Sequence, residues 1–123
     1  MLDTAQCPHF AYVGDSILGR RVNLGAGTKL SNVPVSSFKD AQSGKRPTIK
    51  LAIEGKEYDT GLVKFGAVVG DGCQTGCNVV TNPGCLIARN VLVYPEISLK
   101  KGYYPGNQII KLQQSLVAIN REG

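Results

Sequence analysis

A rhythm of six residues constrains this chain more than any single motif. From residue 63 the sequence divides into VKFGAV, VGDGCQ, TGCNVV, TNPGCL, IARNVL, VYPEIS and LKKGYY. The first positions are Val63, Val69, Thr75, Thr81, Ile87, Val93 and Leu99, and all but the last are β-branched, which biases them to strand. The fifth positions, Ala67, Cys73, Val79, Cys85, Val91, Ile97 and Tyr103, are mostly small or apolar. An earlier block, YVGDSI, LGRRVN, LGAGTK, LSNV, repeats the pattern with first positions Tyr12, Leu18, Leu24 and Leu30 and fifth positions Ser16, Val22 and Thr28. The period matches neither an amphipathic helix nor an alternating strand.

It fits an all-β chain wound as a parallel β-helix of hexapeptides, three of which close one triangular coil. Residues one coil apart then stack ~4.8 Å apart. First-position side chains, Tyr12 among them, are expected to point into the narrow axis, with small fifth-position residues beside them. That makes Cys73 and Cys85 core residues and leaves Cys77 outside. It also accounts for an aromatic content of only 7%. The 123 residues are read as one domain, 1–123, with repeats over about 12–32 and 63–104. About ten hexapeptides give a little over three coils. Between the blocks, 33–62 holds a polar loop and a β-hairpin, TIKLAI-EGKEYDT, turning at Glu54-Gly55-Lys56. Pro105-Gly106 is expected to end the repeat. In the tail, 105–123, Ile109, Leu112, Leu116 and Ile119 suit a helix while QIIKL and SLVAI suit strands. The extended form, packed on the coil end or on a neighbouring subunit, is preferred. A stack this short exposes backbone groups at its ends, and a cyclic homotrimer is the expected remedy.

The net charge of +5 is scattered as Arg20-Arg21, Lys45-Arg46 and Lys100-Lys101, with no run and no interleaved aromatics. This reads as a solvated surface or one that meets small anions, not nucleic acid. No apolar run approaches the ~20 residues of a spanning helix, and residues 1–9 lack a basic start and an apolar core. The expected location is the cytoplasm, with no membrane partner. Cys7, Cys73, Cys77, Cys85 and the single His9 have poor zinc spacing, so no metal is expected.

HFAYVGDSILGRRVNLGAGTKLSN (9–32) and KFGAVVGDGCQTGCNVVTNPG (64–84) resemble the acetyltransferase part of bifunctional sugar-1-phosphate nucleotidyltransferase/acetyltransferases, the glucosamine-1-phosphate acetyltransferase/N-acetylglucosamine-1-phosphate uridyltransferase type and its archaeal relatives. The resemblance implies a left-handed β-helix, acetyl-CoA as acyl donor, and an amino sugar or its 1-phosphate as acceptor. It implies that His9 is the catalytic base, a role a histidine can fill near neutral pH. By the same resemblance Ala26 offers its N–H to the oxyanion, and Asn32 positions the amine or the acetyl group. Tyr12 and Asn23 hold the sugar phosphate, and Lys39 serves as its cation, with Arg20, Arg21 or a neighbouring subunit as alternatives. From position alone, Gly76, Cys77 and Asn78 are expected to line the coenzyme A groove, with Lys100 or Lys101 near its phosphates. The nucleotidyltransferase part is not found in these residues, so uridylyl transfer is not expected, and a separately encoded nucleotidyltransferase is a further candidate partner. The alternative reading is a catalytically impaired β-helix that serves as a trimerisation or scaffold module. A hexapeptide carbonic anhydrase is disfavoured, because one histidine per chain cannot supply its metal ligands.

Overall fold

In a computed structural model, which describes residues 1–35, 39 and 42–122, the chain is a parallel β-solenoid without helices among those residues. It has three flat faces. Face I holds Asn23–Leu24, Gln74–Thr75, Leu92–Val93 and Ile109–Ile110; face II holds Tyr12–Val13, Lys29–Leu30, Val80–Thr81 and Ser98–Leu99. Face III holds Ile17–Leu18, Ala67–Val69, Cys85–Ile87 and Gly102–Tyr104. Every pairing between layers is parallel. The only antiparallel pair described is the hairpin Lys50–Ile53 with Lys56–Asp59.

The inward residues form ladders, Leu18–Val69–Ile87–Tyr104 on face III and Leu24–Thr75–Val93–Ile110 on face I. Leu18, Leu24, Leu30, Val22, Val79 and Val91 have no exposed surface. Cys73 and Cys85 are buried beside them and Cys77 is exposed. A narrow prism leaves room for one small residue beside each large one, which is why cysteine and valine fill the fifth positions. Burial pushes the thiols of both inner cysteines up, that of Cys85 to about 12.

Several expectations need correction. The stack has four strands on each face rather than a little over three coils, and Gln6 adds a further layer by bridging Asn23. Pro105-Gly106 does not end it, because Ile109–Ile110 pairs with Leu92–Val93. Residues 111–122 are exposed and form neither helix nor strand, and they meet the coil where Lys111 Nζ lies 5.4 Å from the centroid of the Tyr94 ring. Tyr12 does not point inward: it is 49% exposed, while its neighbour Val13 aligns with Leu30. Tyr103 is likewise outside, and Gly102 takes the place above Cys85. Val63 is exposed, and the second block enters the coil only at Ala67.

The cause of these departures is confined to one edge of the prism. At the edge between faces I and II every inward step is six residues: Leu24 to Leu30, Thr75 to Thr81, Val93 to Leu99. The edge between faces III and I is equally regular. At the edge between faces II and III, Val13 to Leu18 and Leu99 to Tyr104 are five, Thr81 to Ile87 is six, and Leu30 to Val69 is thirty-nine. The long step is the excursion 31–66. Its hairpin turns on Glu54 and Gly55 alone, both at positive φ, as a two-residue hairpin loop requires.

Candidate functional site

The regular I/II edge is a column of stacked turns. His9 and Phe10 occupy the first layer, Gly25-Ala26-Gly27 the next, Gly76-Cys77-Asn78 the one after, and Glu96 follows. Backbone bonds tie the layers: Gly27 N–H donates to His9 O (3.0 Å), Asn78 N–H to Ala26 O (2.8 Å) and Glu96 N–H to Cys77 O (2.9 Å). In the layers beyond the first, one residue per turn takes the left-handed backbone, and Gly27 and Asn78 suit it. In the first layer two successive residues, His9 and Phe10, hold positive φ (55° and 61°), and Phe10 is the one least suited to it. Such strain costs about 1–3 kcal/mol per residue and persists where the surroundings impose it. Here Gly27, bound to the His9 carbonyl, helps to impose it.

The layers approach so closely that a Cβ at Gly25 would lie 2.6 Å from Gly76 C and Thr75 O, and one at Gly76 2.6 Å from the Pro95 ring. Behind them the core carries a polar lock. The hydroxyls of Thr28 and Thr75 lie 2.8 Å apart, buried; Thr75 Oγ1 accepts from Gly25 N–H (3.1 Å), and Thr28 Oγ1 lies 3.3 Å from Gly76 O. This network fixes the orientation of the Gly25-Ala26-Gly27 peptides before any ligand arrives. The N–H groups of Gly25, Gly27 and Thr28 all have acceptors. That leaves the Ala26 N–H as the donor of this turn without a protein acceptor among the described residues.

Face II extends this edge. Tyr12 Oη donates to Asn32 Oδ1 (3.3 Å), and Asn32 Nδ2 donates to Asp15 Oδ2 (2.6 Å). Lys29 lies directly across from Tyr12 in the sheet, and its Nζ donates to Gly27 O (2.8 Å). Asn23 flanks the same edge from the outward side of face I. The structure therefore gathers His9, Ala26, Gly76, Cys77 and Asn78 into one column, and it joins Tyr12 on face II to Asn32 at the II/III corner. It does not gather the expected cations. Lys39 sits exposed in the excursion. Lys101 packs over Gly84 at the II/III edge, so it is not beside Gly76-Cys77-Asn78, and Lys100 precedes it there. Arg20 and Arg21 belong to the III/I edge, where Arg20 N–H bonds Asp71.

The relatives of this chain decide what the column is compared with. A bifunctional sugar-1-phosphate nucleotidylyltransferase/acetyltransferase of Sulfurisphaera tokodaii is 34% identical over 95 residues, 77% of this chain and 21% of that protein. The bifunctional protein GlmU of Methanococcus maripaludis is 36% identical over 93 residues, 76% of this chain and 20% of that protein. That of Methanococcus vannielii is 32% identical over 116 residues, 89% of this chain and 26% of that protein. The chain is a homologue of these bifunctional enzymes. It spans about a fifth to a quarter of their length. No family model matches it.

Two features of the site escaped the sequence reading. Lys29 is an outward residue that gains meaning only from its register with Tyr12, and a search for outward residues one coil from Tyr12 would have found it. The Thr28–Thr75 lock joins residues 47 positions apart across the excursion, so spacing gives no sign of it. A concavity of about 910 Å³ lies away from this column, at the irregular II/III edge between the excursion and the coil, lined by Pro34, Ile49, Lys50, Asp59, Pro83 and Lys101 among others. Asp59 there is held below the usual carboxylate range by the Gly61 N–H, the Thr48 hydroxyl and Lys50. Among the described residues no three His, Cys, Asp or Glu side chains cluster as a metal site would need, and no helix is long and apolar enough to cross a membrane.

Proposed function

We propose that this chain transfers an acetyl group from acetyl-CoA to the amine of an amino sugar or amino-sugar 1-phosphate. The observation that carries the reading is the stacking of His9 on the Gly25-Ala26-Gly27 turn, with Gly76-Cys77-Asn78 in the layer beyond. The amine lone pair attacks the thioester carbonyl carbon, forming the C–N bond. The Ala26 N–H donates to the oxygen as it becomes an oxyanion, a contribution of about 3 kcal/mol to the barrier where such a donor is fixed in advance. His9 accepts the amine proton. Collapse breaks the C–S bond, and the proton passes from His9 to the departing thiolate. Tyr12, Asn23 and Asn32 position the sugar. Gly76, Cys77 and Asn78 line the coenzyme A groove. Lys29 is the phosphate cation favoured by position, and Lys39 the one favoured by resemblance.

His9→Ala is expected to abolish acetyl transfer to glucosamine 1-phosphate while leaving the assembly intact by sedimentation. Unchanged turnover would remove His9 from the mechanism.

Self-association, as a homotrimer, is part of the same proposal. The outward residues of face III are Ile17, Val68, Leu86 and Tyr103, an apolar ladder in register. Ile17 is 60% exposed and Tyr103 46%, and a second copy of the chain is the surface that would cover them. Ile17→Lys is expected to lower the sedimenting mass. This ladder also favours the scaffold reading as the alternative. The two separate on acetyl-CoA titration, where saturable binding supports the enzyme and none at millimolar ligand supports the scaffold.

A further inference from the structure

We infer that Asp15 is a positioning residue of this reaction: it fixes the Asn32 side chain so that the amide oxygen, not the amide nitrogen, faces the substrate, and Asn32 therefore orients the attacking amine rather than the acetyl carbonyl. The inference rests on the proposed acetyl transfer and sharpens one role within it.

A primary amide has a donor end and an acceptor end, and what it offers a ligand depends on which end is already used. A carboxylate only accepts. Asp15 Oδ2 lies 2.6 Å from Asn32 Nδ2, so the nitrogen end is committed to it. The oxygen end is turned the other way, toward Tyr12 Oη at 3.3 Å. An oxygen carries two lone pairs, so one remains for a ligand donor after Tyr12 has taken the other. A substrate amine supplies N–H donors; a thioester carbonyl supplies none and would need the committed nitrogen.

The frame around this pair is rigid. Asp15 sits at the five-residue II/III corner with φ 47°, a backbone that aspartate and asparagine tolerate better than most side chains. Its carbonyl accepts from Gly66 N–H (2.9 Å), which links it to the next layer. Asn32 is tied across the same corner by accepting from Phe65 N–H (2.9 Å). Gly14 gives the Tyr12 ring its place: a Cβ there would lie 2.7 Å from Tyr12 Oη and 2.8 Å from Asn32 Cγ.

The test is a double-mutant cycle with acetyl-CoA and glucosamine 1-phosphate. Asp15→Gly removes the carboxylate, and glycine accepts φ 47° without strain. It is expected to lower kcat/KM for the amino sugar about tenfold, the scale of a lost hydrogen bond to a charged group, while KM for acetyl-CoA holds. Asp15→Asn keeps an acceptor oxygen and suits the backbone, and is expected to recover most of that loss. In an Asn32→Ala background Asp15→Gly is expected to cost nothing further, because its effect runs through Asn32. Gly14→Ala, which disturbs Tyr12 and Asn32 without touching the carboxylate, is expected to reproduce the amino-sugar defect. Equal losses from Asp15→Gly in both backgrounds, or a rise in KM for acetyl-CoA alone, would overturn the inference and leave the acetyl transfer standing. A parent chain that forms no product would overturn the proposed function and this inference with it.

Discussion

Two edges of the same prism obey different rules. At the I/II edge, His9, Ala26, Cys77 and Glu96 stand in successive layers with identical six-residue steps. At the II/III edge the step is five, six or thirty-nine residues, and the excursion and the 910 Å³ concavity both sit there. A turn that is copied layer upon layer can hold peptide groups at fixed spacing, which a preorganised oxyanion donor needs. A turn that changes length at each layer cannot, but it can absorb insertions. Length freedom thus sits at one edge and the fixed peptide spacing around Ala26 at another, while Asp15 and Asn32 of the proposed site stand at the irregular corner, tied there by Gly66 and Phe65.

The strongest way to break this contrast is an insertion. One alanine placed between Ala26 and Gly27 reverses the inward and outward residues of the following strand, and is expected to abolish cooperative thermal unfolding. The same insertion beside Gly44, which has nothing within 4 Å of its Cβ position, is expected to leave the melting temperature almost unchanged. Equal tolerance at both places would show that the regular edge is not specified.

Glycine substitutions give a finer contrast. Gly25→Ala drives a methyl group into the backbone of Gly76 and Thr75, and should cost about 1–3 kcal/mol or more in denaturant unfolding. Gly44→Ala meets open space and carries only the penalty of a positive φ of 68°, about 1 kcal/mol.

Alkaline pH probes the core that both edges share. The Cys85 thiol rises from an ordinary 9.0 to about 12, chiefly through burial. The unfolded chain then loses this proton first, so the stabilisation is complete below pH 9 and fades as pH rises toward 12. Cys73 shifts in the same direction. Thermal melts should fall across that window, and Cys85→Ala should flatten the fall. A curve of unchanged slope in the variant would show that the thiol is not the titrating group.

The same contrast explains what could be read in advance. Leu18, Leu24 and Leu30, and Cys73 and Cys85, follow the six-residue rhythm because faces must alternate inward and outward residues, and the sequence shows that directly. Tyr12 and Tyr103 broke the reading because a five-residue corner advances the phase by one, which turns a core position outward. The coil over Pro105-Gly106 looked finished for the same reason: Leu99 to Tyr104 is short, and counting in sixes loses Ile110. In the candidate site, the family resemblance along 9–32, not the residue pattern by itself, singled out His9, Ala26 and Asn32. Their surroundings, Thr75 beneath Gly25 and Lys29 across from Tyr12, arise from stacking across layers that a linear text keeps apart.

Alkylation of Cys77 tests the regular edge most directly as the acetyl-CoA site. Its thiol is exposed in the layer beyond Ala26, whereas Cys73 and Cys85 are buried. Labelling by iodoacetamide, followed by mass spectrometry, is expected to slow at Cys77 as acetyl-CoA is added and to stay constant at Cys7. Saturating acetyl-CoA that leaves the Cys77 rate untouched, while shielding Lys101 at the II/III edge from an amine reagent, would contradict the assignment.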